Sequence, residues 1–319
     1  MSLKPPLTGT PLRDWIANPS PMRNPIAEGF LYEKSCIIVS ADSGLGKSVI
    51  SLQAALELSS GFPLFRRFEL SRSYRIYYIL KERPKEEMGE RIQSMQQIIK
   101  WNPDNLIIDD QLQSFNLARE ANFRMIIDRI LAFHPDIIFI DPIYAGTPGL
   151  SKDEVASAFT NFLTILEQDT GALIWLNHHI TKMTYDRDGQ EVNKDDPMYG
   201  SAWIKAHVTG SYLLTRTSSG TVMTNKKSSH SNLLNKIELD YDPDTYLSTA
   251  KGKGGTGHDR MLMFLNRVKA EKRRFNIEEV MAETDLSRPR VLSIFKTPPS
   301  GLSVINLSTI GTKGLYEVL

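Results

Sequence analysis

The sequence predicts an α/β fold with a mostly parallel central sheet. From residue 35 to about residue 215, short β-rich runs alternate with segments of helical periodicity, an order typical of parallel strands joined by helices. The run 136–141 (DIIFID) lacks polar alternation, as expected of a strand that is covered on both faces. The composition, 41% hydrophobic and 24% charged, is ordinary for a globular protein.

The alternation assigns the elements in order. Strands are predicted at 35–41, 74–80, 105–110, 136–141, 172–177 and 211–216, and the later runs GTVMTNKK and NKIELDYD predict an antiparallel pair. Helices are predicted at 48–60, along the stripe Met88, Ile92, Met95 and Ile99, at 123–133 and after residue 151. Gly61 is the predicted stop of the first helix, and Ser151 with Glu154 predicts a capping box for the last.

Three parts follow from this order. Residues 1–249 form the predicted core with an N-terminal extension, and residues 250–259 (AKGKGGTGHD) form a Gly/Lys-rich linker. Residues 260–319 give three helices and then two β-prone runs, the element order of a winged helix. Arg288 and Arg290 lie at the front of its third helix, the end that meets DNA in a helix-turn-helix. A winged helix used for protein contacts is the alternative.

Bulk composition excludes several classes of protein. A net charge of +1 means that any nucleic-acid contact must come from local basic patches. The single cysteine, Cys36, excludes an intrachain disulfide, which fits a reducing compartment. The first residues lack the apolar core of a signal peptide, and no run approaches the roughly 18 apolar residues of a membrane span. A cytoplasmic protein without membrane contact is therefore expected.

The stretch ADSGLGKS, residues 41–48, follows the first strand and opens the first helix. This context is the one that a phosphate-binding loop needs, because backbone N–H groups and the helix N-terminus then face an anion. Lys47 would reach the β and γ phosphates, and the Ser48 hydroxyl would bind Mg²⁺. Ala41 replaces the usual first glycine, which is tolerable if its φ stays negative. The predicted nucleotide-binding residues are Ser43, Gly44, Leu45, Gly46, Lys47, Ser48 and Val49.

Polar residues follow three further strands. Asp141 ends the strand 136–141, where a carboxylate for the metal belongs, so Ser48 and Asp141 are the predicted Mg²⁺ pair. Glu82 follows the strand 74–80 directly and is the candidate for orienting the attacking water, with a solvated glutamate as the alternative. His178 and His179 point to opposite sides of an extended chain, which favours one phosphate sensor and one packing residue over a zinc site.

The motifs ADSGLGKS, YYILKERPKEEMGERI, PDIIFIDPIYAG, GALIWLNHHITK and YGSAWIKAHVTGSYLLTR occur in this order between residues 10 and 245. In order and spacing they resemble the RecA-like hexameric ATPases, most closely the RepA-type replicative helicases of plasmids and phages. The resemblance implies a RecA-like P-loop NTPase core that works as a homo-oligomeric ring, a hexamer, with ATP and Mg²⁺ held between subunits. The winged-helix-like tail is not part of that core.

The resemblance also implies roles for individual residues. Lys47 and Ser48 would bind phosphate and Mg²⁺, Asp141 would be the Walker B aspartate, and Glu82 the catalytic glutamate. Arg83 stands where the family commonly has aspartate. The catalytic set therefore comprises Lys47, Glu82, Asp141 and the sensor, which would fall on His178 or His179. A basic finger for the neighbour's ATP would be Arg216 or the pair Lys226 and Lys227.

Two loops would face the centre of such a ring. One follows Asp141 (PIYAGTPGLSKDE) and the other follows the sensor (ITKMTYDRDGQEVNKDDPMYGS). The second contains Lys182, Tyr185 and Lys194, and a stacking aromatic with basic residues suits single-stranded DNA. Plain surface loops are the alternative, and the aspartates of the second loop weaken the electrostatic argument for DNA.

Three functions remain open at this point. The leading hypothesis is a ring-forming, ATP-dependent DNA motor, a replicative helicase that translocates on single-stranded DNA. The second is a RecA-like ATPase that acts as a loader or DNA-binding regulator without unwinding. The third is a regulator of transcription or of a replication origin, in which the winged helix binds duplex DNA and the ATPase core is a switch.

Overall fold

A computed structural model describes residues 12–17, 24–82, 84–100, 102–180, 184–185, 191–192, 202–217, 220–229, 234–251, 261, 264–265, 268–269, 272–284, 286–296, 303–306 and 315–318. Within them the strands are β1 (Pro25–Ala27), β2 (Leu31–Tyr32), β3 (Cys36–Ala41), β4 (Ile76–Leu80), β5 (Leu106–Asp109), β6 (Ile137–Asp141), β7 (Leu173–His179), β8 (Thr184–Tyr185), β9 (Glu191–Val192), β10 (Gly210–Thr217), β11 (Gly220–Ser228), β12 (Lys236–Asp242), β13 (Leu247–Ala250), β14 (Val304–Asn306) and β15 (Tyr316–Val318). The helices are α1 (Leu12–Ala17), α2 (Lys47–Ser60), α3 (Lys85–Gln96), α4 (Glu120–Leu131), α5 (Ile143–Gly146), α6 (Asp153–Thr170), α7 (Ala202–His207), α8 (Ile277–Thr284) and α9 (Arg288–Lys296).

The central sheet contains nine strands in the described part of the chain, in the order β13-β12-β11-β10-β3-β7-β6-β4-β5. The six strands from β10 to β5 are parallel, whereas β11, β12 and β13 continue the sheet as an antiparallel extension. The prediction of a mostly parallel sheet is therefore confirmed, as is the predicted antiparallel pair, β11 with β12.

Helices cover both faces of the sheet. On one face, α2 and α3 pack over a cluster that includes Ile37, Val39 and Trp175. On the other face, α4 and α6 pack over a cluster that includes Cys36 and Ile38. Successive residues of β3 thus enter opposite cores, and all six are buried. This is why the strand sequences are apolar throughout and do not alternate.

Some helix ends agree with those predicted from the sequence, and others do not. Gly61 ends α2 in the left-handed region, at φ 71°, with its N–H directed to the carbonyls of Glu57 and Leu58, as predicted. The capping box predicted from Ser151 and Glu154 is wrong. Lys152 is the N-cap of α6 and no side chain caps that end, because the turn carries Ser151 one position too far from the helix. The helix predicted at 123–133 begins three residues earlier, at Glu120.

The C-terminal part has its own apolar cluster, which includes Phe264, Phe275, Val280, Val291 and Tyr316. α8 and α9 precede a two-stranded antiparallel sheet of β14 and β15, in the predicted order. The winged-helix assignment stays a prediction. Most of the proposed linker, 252–259, lies outside the described residues. Among the helices that the structure describes, none is both long enough and apolar enough to span a membrane.

Candidate nucleotide site

The phosphate loop joins β3 to α2 at the carboxyl edge of the parallel strands. Gly44 and Gly46 have φ of +80° and +83°, and no atom lies within 4 Å of a Cβ added at either position. Backbone conformation alone therefore requires glycine at both positions. Gly46 is the N-cap of α2 and no side chain caps this end, so the first helical N–H groups remain available to an anion. Ala41 is the last residue of β3, where extended backbone with negative φ accepts alanine.

The Lys47 ammonium lies at the base of this loop. Its Nζ donates hydrogen bonds to the carbonyl oxygens of Ala41 at 2.7 Å and Asp42 at 3.1 Å, and lies 3.3 Å from Nδ1 of His179. Lys47 is 6% exposed. A cation that has already lost most of its water and is held by neutral carbonyls gains strongly from a nearby phosphate.

Ser48 and Asp141 meet at the point where the metal was predicted. The Ser48 hydroxyl donates to Oδ1 of Asp141 at 3.2 Å. Adjacent hydroxyl and carboxylate oxygens are ligands that Mg²⁺ accepts, so the residues present fit the ion. The other carboxylate oxygen, Oδ2, accepts a 2.5 Å hydrogen bond from the Tyr78 hydroxyl. The peptide between Asp141 and Pro142 is cis.

Tyr78 was missed by the sequence reasoning. It lies in the middle of β4, is buried, and stacks on Phe139 of β6 with ring centroids 5.4 Å apart. The sequence marks it only as one aromatic residue of an apolar strand. Its hydroxyl reaches Asp141 because β4 pairs with β6 in parallel, with Leu80 opposite Asp141. This hydroxyl holds the carboxylate in one orientation.

Lys81 and Glu82 follow β4, and their side chains point to opposite sides, as expected for successive residues of an extended chain. The Lys81 side chain is buried and its Nζ donates to the carbonyl oxygens of Leu112, Gln113 and Phe115. Burial lowers the pKa of Lys81 to about 8, an effect that Asp109 partly opposes. The Glu82 side chain, 59% exposed, lines the nucleotide cavity. The anchored lysine therefore fixes the backbone that presents Glu82.

The two histidines at the end of β7, His178 and His179, differ in burial. His178 is fully buried, and burial, followed by the charges of His179 and Lys47, lowers its pKa to about 3. His179 is partly exposed, and burial followed by the charge of Lys47 lowers its pKa as well. Its Nε2 lies 4.0 Å from Oε2 of Glu82. His179 thus lies between the phosphate-loop lysine and Glu82 and lines the cavity, whereas His178 is buried.

The phosphate loop opens into a cavity of about 270 Å³. The phosphate loop, Glu82, Asp141 and His179 line one end. The rest of the wall comes from α3, β10 and the antiparallel extension and includes Arg91, Arg216, Thr221, Tyr241, Tyr246 and Ser248. Only Arg216 among these was singled out from the sequence. Strands far from the phosphate motif in sequence therefore complete the site.

Residues 5–184, more than half of the 319-residue chain, match the family described as AAA domain. The chain belongs to the AAA domain family. Among solved structures it is similar to a KaiC-like protein of the hyperthermophilic archaeon Pyrococcus horikoshii OT3. The TM-score is 0.51 and the identity 12%, over 72% of this chain and 100% of that chain. No curated protein matches it. Family and fold together confirm the prediction of a RecA-like P-loop ATPase core.

The three basic residues predicted to reach a neighbour's ATP have different surroundings in this AAA domain. Arg216 is exposed and lines the cavity of its own chain. The Lys227 ammonium donates to the carbonyl oxygens of Lys205 at 2.5 Å and Ala206 at 3.3 Å, which engages it at the end of α7. Lys226 is exposed.

Only some of the residues predicted to contact DNA lie in the described part of the chain. Lys182 and Lys194 lie outside the described residues, and of Tyr185 the structure describes only its backbone in β8. Arg288 and Arg290 are exposed at the start of α9, and Nη1 of Arg288 lies 3.0 Å from Oε1 of Glu278. Arg83 also lies outside the described residues.

Proposed function

We propose that this chain hydrolyses ATP in the cavity described above. The observation that carries the proposal is that Glu82 and the Ser48–Asp141 pair line the same cavity as the phosphate loop. A triphosphate held by the loop would have a carboxylate on one side and a metal pair on the other. These are the parts that phosphoryl transfer to water needs.

Each residue has a role that follows from its environment. Lys47 would exchange its carbonyl partners for phosphate oxygens, a stronger acceptor for an ammonium. Ser48 and Asp141 would hold Mg²⁺, which when bound neutralises charge on the phosphate oxygens. Glu82 would orient and deprotonate the attacking water. His179, between Lys47 and Glu82, would report to Glu82 whether a phosphate occupies the loop.

The other end of the cavity fits a nucleobase. Tyr241 lies near the end of β12, Tyr246 lies in the turn between β12 and β13, and Arg91 comes from α3. Aromatic and guanidinium groups stack on the faces of bases. Tyr241 is 46% exposed in the chain without nucleotide, so a stacked base would remove apolar surface from water. We therefore assign ATP, rather than a simple polyphosphate, as the substrate.

We further propose that hydrolysis drives a ring-shaped DNA motor, a replicative helicase that moves on single-stranded DNA. Support comes from the resemblance to RepA-type helicases and from the open position of Glu82 and His179, both partly exposed to the cavity. A neighbouring subunit seated at this edge of the sheet would complete the site. Lys226 on β11 and Arg216 on β10 are both exposed and are the candidates for the basic finger, whereas Lys227 is engaged by backbone carbonyls.

The test combines assembly with activity. The particle mass is measured with and without a non-hydrolysable ATP analogue, and phosphate release with and without single-stranded DNA. A six-fold particle and DNA-stimulated hydrolysis are expected, and Glu82→Gln should abolish both basal and stimulated release. A strict monomer in all conditions, or hydrolysis indifferent to DNA, would overturn the motor while leaving the ATPase intact.

The second candidate is a loader or DNA-binding regulator without unwinding activity. The two exposed arginines at the start of α9, Arg288 and Arg290, favour it. Unwinding of a forked duplex separates the candidates, because only the motor releases the strand. If the full chain fails to unwind but binds duplex DNA, and the double variant Arg288→Ala with Arg290→Ala loses that binding, the regulator is the correct function.

A further inference from the structure

A second cluster of functional side chains lies at the opposite edge of the sheet from the phosphate loop. Cys36 begins β3, Glu167 lies in the last turns of α6, and His207 ends α7. One ligand atom from each, a sulfur, an oxygen and a nitrogen, lies within 4.8 Å of the other two. Three separate elements thus bring three different donors to one point, and the ATPase proposed above uses none of them.

The donor types and their spacing fit zinc. Nε2 of His207 lies 3.4 Å from Oε1 of Glu167. Zinc–ligand bonds of about 2.0–2.1 Å in a tetrahedron place nitrogen and oxygen donors roughly 3.4 Å apart. Cysteine sulfur, imidazole nitrogen and carboxylate oxygen are the ligands that this ion takes in proteins.

The imidazole lies beside the Glu167 carboxylate without making a hydrogen bond to it through its Nε2. Nε2 of His207 is buried and has no hydrogen-bond partner within the described part of the chain. A buried polar atom without a partner is costly. A metal ion that accepts the nitrogen lone pair would remove that cost, and it would also neutralise the carboxylate that lies beside it.

The charge balance of the cluster permits a divalent cation. A Cys36 thiolate and the Glu167 carboxylate together offset the two positive charges of zinc. Burial, followed by the charge and hydrogen bond of Glu167, raises the pKa of the Cys36 thiol, and the charge of Lys227 partly opposes this effect. The carbonyls of Lys205 and Ala206 hold the Lys227 ammonium. The complete site would therefore carry one net positive charge, which those carbonyls partly offset.

A groove lies beside the cluster, on the His207 side. It has a volume of about 690 Å³, and His207 lines it together with Thr164 and Ala206. With three protein ligands, zinc would take a water molecule as its fourth ligand.

We propose that Cys36, Glu167 and His207 form a zinc site that ties α6 and α7 to the first residue of β3. The site is separated from the phosphate loop by the length of β3, which is roughly 17 Å for five residue steps. It is therefore independent of the ATPase assignment. α7 directly follows the segment predicted to reach DNA, so the ion would fix one end of that segment.

The single cysteine of the chain makes the test specific. The full-length protein is stripped of metal with a chelator, and its zinc content after reconstitution is measured by elemental analysis. Cobalt is then titrated in as a spectroscopic substitute. A thiolate-to-cobalt charge-transfer band can come only from Cys36, so one equivalent of zinc and a saturable band that zinc displaces are the expected results.

Two variants and a control complete the experiment. Cys36→Ser and His207→Gln should both lose the zinc equivalent and the cobalt band, whereas Glu154→Gln, on the same groove, should keep both. Binding of an ATP analogue at the distant loop shows that each variant is folded, which matters for Cys36 because it is buried in the core. Zinc below a tenth of an equivalent in the wild type, or zinc retained by His207→Gln, overturns the site.

Discussion

The parallel and antiparallel halves of the sheet contribute opposite ends of one cavity. The parallel half supplies Lys47, Glu82, Asp141 and His179, which surround the phosphate loop. The antiparallel extension supplies Thr221, Tyr241, Tyr246 and Ser248, which would face a base. In the first group, Lys47 and Asp141 are buried and held by hydrogen bonds, whereas Glu82 and Tyr241 are exposed.

This difference shows which parts of a site can be predicted from the order of strands along the chain. Parallel strands bring all their carboxyl ends to one edge of a sheet, so residues that follow such strands meet there. Antiparallel strands alternate their ends, and the turn between β12 and β13 reaches the cavity only because the sheet twists and the strands have these lengths. Four substitutions test whether the two halves act separately.

The largest expected effect is in the parallel half, at Glu82. Glu82→Gln should lower the rate of ATP hydrolysis by about 10²–10⁴-fold, the contribution of a general base. ATP binding should remain, since Glu82 is exposed and the phosphate loop does not depend on it. Single-turnover hydrolysis and analogue binding are the measurements. Glu86→Gln, an exposed neighbour in α3, is the control and should behave as wild type.

Lys47→Ala should come next, with a loss on the order of 10²–10³-fold in hydrolysis, the value of one preorganised donor at the transition state. Unlike Glu82→Gln, it should also weaken analogue binding, because the ammonium faces phosphate in both states. Lys100→Ala, at an exposed position away from the cavity, should change neither quantity. Equal ATP binding in Lys47→Ala and wild type would contradict the assigned role of the lysine.

Tyr78→Phe should act through the metal alone. Without the hydroxyl that holds Oδ2 of Asp141, affinity for Mg²⁺ in the nucleotide complex should fall by roughly 10–100-fold. The measurement is analogue binding as a function of Mg²⁺ concentration. Tyr77→Phe is a matched control, since the Tyr77 hydroxyl donates to Asp109 on the other side of the strand. If both variants shift the Mg²⁺ midpoint equally, the effect is one of strand stability.

The smallest effect is expected in the antiparallel half. Tyr241→Ala should weaken ATP binding by about tenfold, or about 1.4 kcal/mol, which is within the range for one stacked base. Binding of tripolyphosphate, which has no base, should not change. Tyr241→Phe should restore ATP affinity because it keeps the ring. Equal losses for ATP and tripolyphosphate would show that the two halves of the cavity are not separate.

The sequence correctly predicted the parallel core, and several residues that it predicted for the nucleotide site line one cavity. The strand, loop and helix around Lys47 are contiguous, and the positive φ of Gly44 and Gly46 is a local requirement. Asp141 and Glu82 were predicted because each follows an apolar strand. The capping box failed because a serine three residues before a glutamate fits several turn geometries, and only the packing of α6 selects one.

By itself, the sequence determined the order of elements, the phosphate loop and the residues that end the parallel strands, since these depend on short segments and one topological rule. The tertiary structure decided what depends on distant pairing. It placed Arg216 in the cavity of its own chain, gave Asp141 its Tyr78 partner, buried His178 while leaving His179 exposed, and gathered Cys36, Glu167 and His207. Contacts between residues far apart in sequence follow from register and packing, which no local pattern encodes.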